Sequence, residues 1–162
     1  MSTLEVKQIQ APTGYKLAMP TGHILQVVNY RSTAHNTATT STSFVDTGMS
    51  ATITPSSTSS KILVVANING LYKHGADYAV STRLLRGSTD IGVIESMNSY
   101  TGSSATGTGG ASVSYLDSPN TNSAVTYKIQ FASTTGGEVK INMRWNSTYT
   151  TQSTITLMEV AG

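Results

Sequence analysis

Strict alternation of apolar and polar residues is the feature that most limits what this chain can become. Over residues 125–132, Val125, Tyr127, Ile129 and Phe131 alternate with Thr126, Lys128, Gln130 and Ala132. Successive side chains of a strand point to opposite faces, so the pattern describes a strand with one face buried. Residues 139–145 repeat it, with Val139, Ile141, Met143 and Trp145 on one side and Lys140, Asn142 and Arg144 on the other. Between them, Ser133-Thr134-Thr135-Gly136-Gly137 has the length and composition of a hairpin turn, which predicts that the two strands pair directly.

Further strands are predicted at 24–31, 51–54, 61–71, 78–86, 89–94, 112–117 and 153–160. Two of these are apolar on both faces. In 61–71, Ile62, Val64, Ala66 and Ile68 share one face while Leu63, Val65 and Leu71 take the other; in 24–31, Leu25 and Val27 oppose Ile24, Val28 and Tyr30. Such a strand needs two partners, for example its own core and a second subunit. No segment carries a sustained helical stripe with caps, so little helix is expected. Short strands with polar turns point to an all-β fold, an antiparallel β-sandwich of jelly-roll type. At 162 residues one domain is expected. Residues 22–162 would form the sandwich. Residues 1–21, punctuated by Pro and Gly with only Leu4, Val6 and Ile9 as apolar anchors, read as a short extended attachment arm. The polar stretches 32–43, 96–110 and 146–152 are predicted as long loops, where a rigid sandwich usually binds.

Ser and Thr make up about three residues in ten, and charged residues 11%, against roughly 25% in ordinary domains. The net charge is +2, with basic residues scattered singly, which is not the footprint of a nucleic-acid binder. Absence of cysteine excludes disulfides and Cys-based chemistry. No run approaches the ~20 apolar residues of a membrane span, and residues 1–20 lack the apolar core of a secretory leader, so neither membrane insertion nor export is expected.

Catalytic patterns are weak. Ser is abundant and His23, His35 and His74 are present, but no G-x-S-x-G elbow occurs. The acids Asp46, Asp77, Asp90, Glu95, Asp117, Glu138 and Glu159 are spaced singly and nominate no glycosidase pair; Glu159, alternating with Ile155 and Leu157, reads as a satisfied or interface carboxylate rather than a catalytic one. No metal-ligand spacing appears, and Thr106-Gly107-Thr108-Gly109-Gly110 lacks the Lys-Ser/Thr of a phosphate loop and reads as a flexible loop. No cofactor, metal or enzymatic activity is therefore expected. Asn146-Ser147-Thr148 matches a glycosylation acceptor by chance. The candidate binding residues are aromatic or flat: Tyr72, His74 and Tyr78 flank one loop, Tyr100 sits in another and Tyr149 borders a third, rings suited to carbohydrate or protein contacts. Trp145 continues an inward series and reads as core.

Two stretches go beyond a generic sandwich. The opening MSTLEVKQIQ with residues 17–28, LAMPTGHILQVV, resembles the start of small tail-fibre or virion-fibre proteins of marine bacteriophages. Ile53-Thr54-Pro55 before residues 59–64, and the closing STITLMEV at 153–160, are similar too, so that the resemblance spans nearly the whole chain. It implies a jelly-roll domain that forms a homotrimer, belongs to the virion and contacts the bacterial host or decorates the particle. The first reading is a fibre whose arm, Ser2 to Thr21, attaches to other virion proteins and whose loops meet a host surface glycan or protein. Alternatives kept open are a capsid decoration protein without a receptor, a virion glycan-degrading enzyme, and a lectin-like module.

Overall fold

The computed structural model describes residues 13, 19–143 and 151–162. Among these residues ten strands follow one another: β1 (Ile24–Arg31), β2 (Thr37–Thr39), β3 (Val45–Ile53), β4 (Lys61–Gly75), β5 (Tyr78–Arg86), β6 (Thr89–Thr101), β7 (Ala105–Asp117), β8 (Val125–Ser133), β9 (Val139–Ile141) and β10 (Thr154–Val160). They build two antiparallel sheets. Sheet A runs β1-β10-β4, with β7 on the far edge of β4 and β9 with β2 alongside its second half; sheet B runs β3-β8-β5-β6.

The pairing is nested: β5 with β6, β4 with β7, β3 with β8 and β1 with β10. The chain is thus one long hairpin folded back on itself and rolled, the wrapping of a jelly roll. The roll explains two departures from the local pattern. Strands β8 and β9 do not form a hairpin: β8 lies between β3 and β5 in sheet B, and β9 joins β2 and β4 in sheet A. Alternation reports that a face is buried, not which strand lies alongside. Residues 96–110 are no loop but the ends of β6 and β7, leaving only 102–104 as a turn.

The inward residues of both sheets form one core, with Ile62, Val64, Ala66, Ile68, Ile155 and Leu157 from sheet A facing Met49, Ile53, Leu84, Tyr127, Ile129 and Phe131 from sheet B. A β-bulge in β4, between Asn69 and Leu71, shifts the register so that Leu71 turns inward and is fully buried, although the simple alternation put it with Leu63 and Val65. Gly70 sits there at φ 62°, a conformation favouring glycine.

One end of the roll gathers both termini of the described domain. Gly22 N donates to Ala161 O at 2.8 Å, and Ala161 N to His23 O at 2.8 Å. At this end an ion pair joins the sheets: Arg86 Nη1 meets both oxygens of Asp117, at 2.9 and 2.7 Å, and Tyr127 Oη donates to the same carboxylate at 2.6 Å. Burial, together with that hydrogen bond, pushes the Tyr127 phenol well above its ordinary range. Glu159 is 1% exposed and accepts from Ser56 N, Ser56 Oγ, Ser60 Oγ and Gln26 Nε2 at 2.6–2.7 Å. It is the satisfied carboxylate its alternation implied.

Candidate functional site

Strand β4 has 15 residues, and at ~3.3 Å per residue it carries the chain roughly 45 Å from the terminal end to the opposite one. At that distal tip the chain crosses between sheets twice, through 76–77 from β4 to β5 and through 102–104 from β6 to β7. The two crossings are laced together. Asp77, at φ 61°, donates its N–H to Thr101 O at 3.0 Å, its carboxylate accepts from Tyr100 Oη at 3.2 Å, and its carbonyl accepts from Thr135 Oγ1 at 2.9 Å.

Beneath them lies a buried amine that meets no carboxylate among the described residues. Lys73 is fully buried; its Nζ donates to Gly75 O at 2.5 Å and to Thr101 Oγ1, and sits 5.6 Å from the Tyr78 ring centre. Tyr78 Oη donates to His74 O. Gly75, at φ 145°, presses on that ring: a Cβ there would come within 2.6 Å of it. Gly107 is equally tight, since a Cβ would meet Ser99 O at 2.6 Å. This is why the 106–110 stretch is glycine-rich: it is a strand paired with β4, Gly107 opposite Lys73 and Gly109 opposite Leu71, that lets β6 pack close, rather than a flexible loop.

Of the five candidate residues, the structure brings three to this tip. Tyr100 is 47% exposed and His74 is exposed, with its Nδ1 sharing a 2.9 Å hydrogen bond with Thr106 Oγ1. Tyr78 is 8% exposed, so it supports the crossing from below and offers no ring to a partner. Tyr72 lies further down β4, half-buried against Lys140, whose Nζ is 5.6 Å from the ring and 2.8 Å from Glu138. Tyr149, with Trp145 and the Asn146-Ser147-Thr148 triplet, lies outside the described residues, as does the proposed arm apart from positions 13 and 19–21. Sequence reasoning missed Asp77, Thr101 and Lys73; the only local signal was the Gly-Ala-Asp turn at 75–77.

Chemically, the tip presents a phenol, an imidazole and a carboxylate, ringed by the exposed Gly102, Ser103 and Ser104. Among the described residues no acid bonds to His74, and no group of three His, Asp or Glu is placed to hold a metal. The arrangement suits hydrogen bonding and ring stacking with a hydroxylated or peptide surface. No described helix is long and apolar enough to cross a membrane.

Among solved structures, the chain is similar to the crystal structure of the infectious bursal disease virus VP2 subviral particle, with a TM-score of 0.42 and 9% identity over 86% of this chain. The chain spans 38% of that protein's length. A likeness this low carries no argument about fold or role. No protein-family model matches the chain, and no curated protein does.

Proposed function

We propose that this protein is a non-enzymatic structural component of a virus particle, a fibre-like homotrimer that holds the particle at its terminal end and meets a host surface glycan or protein at its distal tip. The observation that carries the reading is the separation of the two ends. Both termini of the described domain emerge together at one end, and the laced crossings bearing His74, Asp77 and Tyr100 stand about 45 Å away, at the other end of β4. A rigid roll between an attachment point and a polar, aromatic tip is the geometry of a spacer that presents a contact surface. The resemblance of residues 1–10, 17–28, 53–55, 59–64 and 153–160 to phage fibre proteins supports the same reading.

Two measurements test it. Antibody against the chain should label purified virus particles, and fluorescent protein should bind cells of the bacterium they infect, with Tyr100→Ala and His74→Ala together lowering binding at least ~10-fold, on the scale of one lost contact cluster. Unlabelled particles would overturn the virion role. Labelled particles with no cell binding by the wild type would replace the receptor-contacting role with a decorating one, and release of reducing ends from host polysaccharide would replace it with an enzymatic one.

A further inference from the structure

We infer that the outer face of sheet A is the surface through which copies of this chain bind one another. The inference stands on strand register and does not require the virion reading. Residues opposite each other in neighbouring strands point to the same side of a sheet. Because Ile62, Val64, Ile155 and Leu157 face the core, the rows between them face outward. The rows are Ile24–Val160–Lys61, Val27–Met158–Leu63–Leu116, Asn29–Thr156–Val65–Ser114 and Arg31–Thr154–Asn67–Ser112.

The second row is apolar across all four strands, and Ile24, Val160 and Val65 extend it above and below. Val27 is 57% exposed, Ile24 55% and Leu116 48%. A β-bulge after Ile24 widens the patch, since it turns that residue outward beside Leu25. Folding alone does not ask for such a face. The outer face of sheet B, covering the same core, is mostly polar: Asp46 bonds Lys128 and Gln130, Gln130 accepts from Arg83, and Arg83 pairs with Asp90, with Val93, opposite Arg83 and 59% exposed, as an apolar exception on its edge strand.

Charge and size both point to another copy as the occupant. Where copies pack about a symmetry axis, residues near the axis meet their own counterparts, so a charge placed there would face its like. Here the only charged members of the four rows, Lys61 and Arg31, lie at opposite ends, with the apolar row and an uncharged Asn/Thr/Ser row between them. Four strands at ~4.8 Å and seven residues at ~3.3 Å make a face of roughly 19 by 23 Å, so two copies would cover about 900 Å² in projection, before the relief of the side chains is counted, just under the ~1,000 Å² that a specific interface should clear.

The test is the native mass of the full chain by light scattering at micromolar concentration. The wild type should run as a multiple of 17.0 kDa. Leu63→Lys with Leu116→Lys should fall to the single-chain mass with an unchanged β-sheet circular dichroism spectrum, while Thr52→Lys, on the outer face of sheet B, keeps the wild-type mass. If the double variant does not fold, Val27→Lys, at a largely exposed position, is read in its place and should also dissociate. A wild type at the single-chain mass, or a folded face variant that keeps the oligomeric mass, would overturn the inference, and either result leaves the particle-labelling test of the virion role intact.

Discussion

Glu159 holds the terminal end of the roll together, and replacing it should be among the most damaging single changes outside the apolar core. Its carboxylate takes four donors, three of them on Oε1 from the β3–β4 connection and the fourth on Oε2 from Gln26 of β1. Hydrogen bonds to a charged acceptor are worth ~1.5–3 kcal/mol each, but Ser56 is exposed and Gln26 half-exposed, so both recover water when the acceptor goes. Ser60 is 2% exposed and would be stranded. Adding the lost burial of the side-chain methylenes, Glu159→Ala should destabilise by about 3–4 kcal/mol. Glu159→Gln keeps the volume and an acceptor for the serines but turns an amide nitrogen toward Gln26, whose own nitrogen also donates to Thr54 O at 2.7 Å; the cost should be about 1–2 kcal/mol. The pH dependence follows from the same contacts. Burial raises the Glu159 pKa, but the Ser56, Gln26 and Ser60 donors outweigh it and hold the group below its ordinary 4.5. A folded pKa below the unfolded one gives stability that is fully present above the unfolded value and is lost as pH falls through the folded value. Urea unfolding at fixed protein concentration should therefore show the gap between wild type and Glu159→Gln closing below about pH 4.5. A neutral Gln variant near pH 7, or a gap that stays constant down to about pH 3, would refute the assignment.

Three further substitutions read other parts of the frame. Arg86→Met leaves the buried Asp117 carboxylate with Tyr127 as its remaining donor; because the arginine side chain is 29% exposed, the loss should be about 2–3 kcal/mol in urea unfolding, below that of a fully buried pair. Gly107→Ala forces a methyl group against Ser99 O and should cost about 1–3 kcal/mol, with reduced protection of the β6 and β7 amides in hydrogen exchange. Asp46→Ala should change stability by no more than about 0.5 kcal/mol, since its partners Lys128, at 3.1 Å, and Gln130, at 2.6 Å, are met on an open surface where the carboxylate side chain is 57% exposed and Gln130 keeps its bonds to Arg83.

How much of this was legible in the sequence depended on what each strand buries. In β4, β8 and β10 large inward residues alternate cleanly, and their positions came through. β6 and β7 are long but were seen only in part, because their distal halves bury little: in β7 the inward places opposite Lys73 and Leu71 are taken by Gly107 and Gly109, which have no apolar side chain to mark the period. The missing side chains reflect the close approach of β6, a tertiary constraint that no window of neighbouring residues can express. The same limit misassigned the partner of β8, whose inward face is equally satisfied by a hairpin mate and by β3 and β5. It also hid the tip, since Asp77 and Thr101 are 24 positions apart and meet only because the roll brings both crossings to one end. What did carry over was the two-faced strand at 61–71. The bulge at Gly70 moved Leu71 into the core, yet Leu63 and Val65 remain on the outer face with Val27, Met158 and Leu116 beside them. A strand whose inner face already completes the core has no folding reason to be apolar outside, and the mostly polar outer face of β3, β8 and β5, with Asp46, Lys128, Gln130 and Arg83, shows what this chain places where only water is met.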